Sequence, residues 1–292
     1  MIIKNSEQFL SPIKLNLFLE VINKTNDGYH NLESLMCFCK YGDLIKIKKS
    51  NKFSFFIDGP FSKNLSTKKN IIIDTVCLLE NFFNLKFNVE IILTKNLPVS
   101  SGMGGGSSNA ATVFYSLKKL YNLKIKKKDL TNLLFTLGAD VPFCYFRKSA
   151  IVKGKGEKIN FLKNKIFELP VILINPLVEI STKQIFENLD PNICKKKKKI
   201  KYNEINSENF FNYLIEKKND LQESAQKICP KIKEINNFLK RNTKTKLARM
   251  TGSGATCFGI YENTNNAKIA EKLLKAEFKN MWIKRTELIN QF

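Results

Sequence analysis

The segment Pro98-Val99-Ser100-Ser101-Gly102-Met103-Gly104-Gly105-Gly106-Ser107-Ser108-Asn109-Ala110-Ala111 places four of the chain's 13 glycines within five residues, with two hydroxyls directly after them. Glycines at this density let backbone N–H groups converge on one point, because no Cβ blocks the approach. A helix beginning here adds its unpaired N–H groups and partial positive charge, and the guest that suits such a cradle is a phosphate. The simpler reading is a flexible loop with Ser107 or Ser108 as an ordinary helix cap, although a cap has no need of clustered glycines. Phosphoryl transfer to an alcohol depends mainly on positioning and charge stabilisation. Lys14 could neutralise developing charge, Asp140 could accept the alcohol's proton, and Ser107 or Ser108 could help hold magnesium. Spacing along the chain does not by itself bring these residues together.

The elements that must carry them are legible as patterns. Val89 to Thr94 reads as a strand, and Ala110, Val113, Phe114, Leu117, Leu120 and Tyr121 recur at helical spacing, so the loop joins a strand to a helix. Ile13, Leu15, Leu17 and Leu19 alternate with Lys14, Asn16, Phe18 and Glu20, a period-two strand with one buried face and with Lys14 and Asn16 together on the other. Asn26-Asp27-Gly28 is a turn, followed directly by Tyr29-His30. Strands are expected over 43–48, 53–57, 150–152, 171–174, 257–261 and 281–286. Helices are expected over 70–83, 129–137, 181–188, 207–217, 230–240 and 267–278. Gly138 stops the third helix, and Asp140 before Val141-Pro142 could simply initiate a turn. A second small-residue cluster, Met250-Thr251-Gly252-Ser253-Gly254-Ala255-Thr256, precedes the strand at Cys257. The order fits two α+β modules with a boundary between residues 155 and 175.

Several commoner sites are excluded. A Walker A loop needs a Gly-Lys-Ser/Thr ending, and the Gly154-Lys155 pair is followed by Gly156. The dinucleotide fingerprint would need glycine where Ser107 stands. The sole histidine, His30, is followed by Asn31, so no kinase His-Arg-Asp loop exists. Lys and Arg number 49 against 26 Asp and Glu. That excess admits nucleic-acid binding, but the lysines are scattered, and biased composition accounts for them more simply. The run Lys195 to Lys199 reads as a solvated loop. Seven cysteines without a Cys-x-x-Cys pair suggest buried free thiols in a reducing compartment. The N-terminus has no apolar signal core, and no stretch approaches a membrane span, so a cytoplasmic protein with no nucleic-acid or membrane partner is expected.

The loop from Pro98 to Ala111 resembles a signature of the GHMP small-molecule kinases. Pro12-Ile13-Lys14-Leu15-Asn16-Leu17 followed by Asp27-Gly28-Tyr29-His30, then Gly138-Ala139-Asp140-Val141-Pro142 and Thr251-Gly252-Ser253-Gly254-Ala255, resembles one branch of that superfamily, the kinases of a cytidine diphosphate-linked methylerythritol. The four blocks occur in the family's order between residue 11 and about residue 260.

The resemblance implies an α+β, two-domain fold. The N-terminal domain (1–160) would be ribosomal-protein-like, the C-terminal domain (161–292) ferredoxin-like, and ATP and substrate would meet between them. It implies transfer of phosphate from ATP, with Mg2+, to the substrate's 2-hydroxyl in non-mevalonate isoprenoid synthesis. Asp140 would be the base. Lys14 beside it would polarise the hydroxyl and favour the ionised carboxylate. The ATP loop would comprise Pro98, Val99, Ser100, Ser101, Gly102, Met103, Gly104, Gly105, Gly106, Ser107 and Ser108.

Tyr29 and His30 resemble the family's cytosine site, one ring stacking on the base and the imidazole bonding its polar edge. Phe186 is a second stacking surface or else a helix core position, and Asn16 helps position substrate. Met103 stands where leucine is usual, and Ser100-Ser101 where glycine or alanine is frequent. A sister kinase of mevalonate or homoserine is the nearest rival, and a basic RNA-binding protein the rival of another class. The chain would act as a monomer or homodimer.

Overall fold

In a computed structural model, the described residues are 6–163, 168–190, 192–193 and 209–292. Strands β1 (Glu7–Lys24) and β2 (His30–Lys49) are paired and joined through the 26–28 turn, closed by Thr25 N–H donating to the Tyr29 carbonyl at 2.8 Å. The expected 13–19 strand is thus the centre of a longer one. Its second face is covered as well, since every residue from Ser11 to Val21 is buried. Alternation predicted an open face because Lys14, Asn16 and Glu20 are polar. Each instead finds a buried partner, respectively Asn16, Ser34 and Lys217.

β3 (Ser54–Asp58) runs parallel to β4 (Val89–Thr94), which pairs antiparallel with residues 44–49 of β2. Between them lies α1 (Ile71–Phe83), capped by Asn70, whose side chain accepts from Ile72 N–H at 3.0 Å. α2 (Gly105–Leu120) packs on α1 and buries an apolar stripe that includes Ala110, Val113, Phe114 and Leu117. α3 (Lys127–Leu137) stops at Gly138 as expected. The following turn continues into a short α4 (Val141–Phe146), because Pro at the second helical position has no N–H to miss.

β5 (Ala150–Gly154) pairs antiparallel with β2 and with β6 (Lys158–Phe161), a strand the sequence pattern did not reveal. β7 (Leu169–Asn175) is followed by α5 (Thr182–Glu187), α6 (Phe210–Ile215), α7 (Gln222–Ile228) and α8 (Lys231–Asn242). β8 (Leu247–Met250), β9 (Cys257–Ile260), α9 (Thr264–Glu277) and β10 (Trp282–Ile289) complete the chain. β10, β7, β9 and β8 lie side by side in antiparallel order, with β10 also pairing antiparallel with Phe38 and Cys39 of β2, and Ile172 and Ile174 share a core with Ile232, Ile235 and Leu239 of α8 and Ala267, Ala270 and Leu274 of α9.

Packing divides the chain into two compact units, each discontinuous in sequence. Of the described residues, the first takes 6–13, 41–99 and 104–146, and the second takes 14–40, 100–103 and those from 147 onward. Strand β2 and the glycine loop each contribute to both. Five of the expected buried thiols are buried and in no disulfide (Cys37, Cys39, Cys144, Cys229, Cys257), but Cys77 is exposed, on the outward side of α1. Cys194 and the run Lys195 to Lys199 lie outside the described residues. Among the described residues no helix is long and apolar enough to cross a membrane.

Candidate active site

The glycine-rich loop is held at both ends by different neighbours. In the second unit, the Lys14 N–H donates to the Met103 carbonyl at 3.0 Å, and Thr256 donates to the Ser101 carbonyl from its hydroxyl at 2.6 Å. Asn175 in turn donates to the Thr256 hydroxyl at 2.8 Å. The two small-residue clusters interlock: a Cβ on Gly102 (φ +74°) would lie 2.6 Å from the Thr251 carbonyl oxygen, and one on Gly252 (φ +54°) would lie 2.6 Å from the Gly102 oxygen. Backbone cannot retreat from such contacts, so glycine is required at both positions. Ser100, one of the departures from the family pattern, takes φ +50°, a conformation costing a non-glycine residue about 1–2 kcal/mol.

In the first unit the loop becomes the start of α2. The residue at the N-cap is Gly104, and Ser107 and Ser108 are the third and fourth helical residues, so neither caps the helix. Ser108 N–H donates to the Gly104 carbonyl at 2.9 Å, which leaves the N–H groups of Gly105, Gly106 and Ser107 as the helix's unpaired donors. Beneath them lies a group of buried polar residues. Asp43 accepts from Lys95 Nζ at 2.6 Å, from the N–H of Asn96 at 2.8 Å, from the N–H of Leu97 at 2.9 Å, and from Asn109 Nδ2 at 2.9 Å. Burial pulls the Lys95 ammonium below its ordinary range, and the Asp43 charge opposes that shift. A Cβ on Gly105 would stand 3.4 Å from Lys95 Nζ, so this ion pair sits directly behind the first helical turn. Sequence reasoning missed the group. Its one local sign was an aspartate directly before the apolar pair Leu44-Ile45 of a strand.

Lys14 Nζ donates to Asn16 Oδ1 at 2.8 Å, and both are buried. Asp140 is half-buried directly before α4, and its carbonyl accepts from the Cys144 N–H at 3.0 Å. Among the described residues no three His, Cys, Asp or Glu side chains group as metal ligands. Ser108 Oγ is buried without a hydrogen-bond partner beside the open helix start. A hydroxyl of this kind fits Mg2+, which keeps water and substrate phosphate oxygens as its main ligands.

In the second unit the rings of His30 and Phe186 are stacked, with centroids 5.1 Å apart and planes 26° from parallel. Phe186 also packs on the core that Ile185 enters, so it is both a core contact and a stacking surface. Tyr29 is 65% exposed. Lys155 lies over its ring, Nζ 4.9 Å from the centroid, and pairs with Asp27 of the same turn. Burial, helped by the nearby Lys24 charge, holds the His30 imidazole below its ordinary range, so it is neutral at pH 7.

The Asp27 carboxyl is lowered to about 2, first by the Lys155 hydrogen bond and then by the Thr25 hydroxyl. A depressed carboxyl contributes above its unfolded value of 3.8 and loses that contribution as pH falls through about 2. In Lys155→Met the Asp27 carboxyl is therefore expected to titrate nearer 3.8 in an NMR pH series. An unchanged midpoint would show that the pair does not hold this turn.

Two family models match the chain: GHMP kinases N terminal domain over residues 70–148 and GHMP kinases C terminal over residues 200–280. The fold and the two family matches thus define a GHMP kinase. A relative from Chelativorans sp. (strain BNC1), 35% identical over 280 residues covering 95% of this chain and 94% of its own, bears the name 4-diphosphocytidyl-2-C-methyl-D-erythritol kinase. One from Agrobacterium fabrum (strain C58 / ATCC 33970), 36% identical over 286 residues covering 96% and 95%, bears the same name. A crystal structure of 4-(cytidine 5'-diphospho)-2C-methyl-D-erythritol kinase superposes with a TM-score of 0.80 at 26% identity, covering 97% of this chain and 99% of that one. A homoserine kinase from Cytophaga hutchinsonii ATCC 33406 shares the fold alone, with a TM-score of 0.70 at 16% identity over 100% and 97% of the two chains. The chain belongs to the 4-diphosphocytidyl-2-C-methyl-D-erythritol kinase family of GHMP kinases.

Proposed function

We propose that this protein phosphorylates the 2-hydroxyl of 4-diphosphocytidyl-2-C-methyl-D-erythritol with ATP, giving the 2-phosphate and ADP, in the non-mevalonate route to isoprenoid precursors. Family membership supports the reaction. The observation that carries the choice of substrate is the His30–Phe186 stack beside exposed Tyr29. Such aromatic faces suit a pyrimidine, and a neutral imidazole both donates and accepts at its polar edge. Mevalonate and homoserine carry no base for them.

The loop from Pro98 to Ser108 receives the nucleotide's phosphates through the N–H groups of Gly105, Gly106 and Ser107. Asp140 takes the proton of the reacting hydroxyl, and Lys14 supplies positive charge as the new bond forms. Magnesium, when bound, neutralises the phosphate oxygens, and Ser108 is the better of the two serines to reach it because its hydroxyl is otherwise unpartnered. The division into 1–160 and 161–292 is supported by the two family matches falling one on each side.

A coupled ADP-release assay with the cytidylyl substrate, mevalonate and homoserine tests the assignment. Turnover is expected with the first alone, and its absence there sinks the reading. Removing one stacking face in Tyr29→Ala costs about 1–3 kcal/mol, or roughly 5- to 150-fold in KM for the cytidylyl substrate. KM for ATP is expected to stay unchanged.

A further inference from the structure

Asn16 is held in one orientation by a residue that no resemblance pointed to. Ser34, on β2, donates its hydroxyl proton to the Phe18 carbonyl oxygen at 2.5 Å. A carbonyl only accepts, so the direction of that bond is fixed and the hydroxyl's one proton is committed. Toward Asn16, whose amide nitrogen lies 2.8 Å away, Ser34 Oγ is therefore an acceptor. The amide nitrogen must face Ser34, and Oδ1 must face Lys14 Nζ. The opposite orientation would set the amide N–H₂ against the lysine ammonium, donor to donor, and Oδ1 against an oxygen with no proton left to give.

Lys14, Asn16 and Ser34 are 3%, 1% and 1% exposed, so water does not substitute for a lost partner. The Asn16 N–H donates to Thr251 Oγ1 at 2.8 Å, which pins the backbone at that residue. The second glycine cluster lies near Oδ1, since a Cβ added at Gly252 would come within 3.3 Å of it.

We propose that Ser34 is a positioning residue for phosphoryl transfer: by fixing the Asn16 amide it fixes where the Lys14 ammonium stands. The inference rests on the reading of Lys14 as the group that meets developing charge. It also assigns Asn16 a role through Lys14.

The test compares steady-state kinetics of Ser34→Ala, Ser34→Thr and Lys14→Met in the full chain, with the cytidylyl substrate and ATP. In Ser34→Ala kcat is expected to fall about 10- to 100-fold, the scale of a misplaced reacting group, with both KM values within about threefold of the native protein. Ser34→Thr, which keeps the hydroxyl, is expected to restore kcat to within about threefold. If Ser34→Ala does not fold, Ser34→Cys keeps the volume, offers only a weak acceptor, and is expected to lower kcat in the same way. A native kcat in both Ser34→Ala and Ser34→Cys, while Lys14→Met is inactive, overturns the positioning role and leaves the reading of Lys14 standing. Parallel loss of kcat and both KM values together with thermal stability also overturns it, because a purely structural hydroxyl would behave so. Full turnover in Lys14→Met overturns both.

Discussion

Replacing Asp140 with asparagine lowers kcat about 10²- to 10⁴-fold while leaving ATP affinity within about threefold, the loss expected when a positioned general base is removed. Asparagine is the informative choice because it keeps the shape of the side chain while losing its charge and its capacity to take a proton. The backbone role of residue 140 is independent of that capacity: its carbonyl accepts from Cys144 N–H at the start of α4, and Gly138 at φ +155° makes the bend before it. The fold around the residue should persist, so a drop in turnover reports chemistry. ATP affinity, measured by calorimetry, separates the two halves of the proposed site, because the N–H groups proposed to receive the phosphates belong to α2. Activity within tenfold of native would remove Asp140 from the role of base.

Asp43→Ala lowers the melting temperature by about 6–20 °C, corresponding to a loss of about 3–5 kcal/mol when one member of a buried ion pair is removed. The side chain is fully buried and accepts four hydrogen bonds, so its loss leaves Lys95 as an uncompensated buried cation and strips the N–H groups of Asn96 and Leu97 of their acceptor. The Asn109 amide loses its partner too, and it belongs to the second turn of α2. The start of α2, the proposed phosphate cradle, should therefore loosen with the core, seen as a raised KM for ATP. Adding Lys95→Met removes the stranded charge, so the double variant is expected to melt above Asp43→Ala. If the double variant melts at or below the single one, the buried charge is not what destabilises it. Scanning calorimetry on the three proteins decides the matter.

What could be read from the chain followed how local the cause is. The Asn26-Asp27-Gly28 turn, the β4–loop–α2 unit and the Gly138 stop are fixed by residues within a few positions of one another, and the structure has each of them. The short strands β6 and β8 were not legible, since four residues are too few to show a period. β1 was legible as a strand but not in its burial. Polar side chains at alternate positions imply a solvated face only while no partner is known, and Lys14, Asn16 and Glu20 all have buried ones. Ser107 and Ser108 were open between cap and ligand, and the positive φ of Gly104 decided against the cap.

By itself, the sequence determined that this chain has a glycine-rich loop at a helix start, a strand lysine, a turn aspartate and a Tyr-His pair after a glycine turn. Each follows from residue type and close spacing. Only the tertiary structure decided which distant residues those groups lean on. Asp43 reaches Lys95 and Asn109 across 52 and 66 residues of chain, and Arg249 ties the Leu17 carbonyl to those of Leu214 and Lys217. Phe186 meets His30, and Ser34 meets Asn16. The physical reason is common to them all. A buried polar group must find its partner wherever the packed chain brings one within about 3 Å, and no local pattern records which residue that will be.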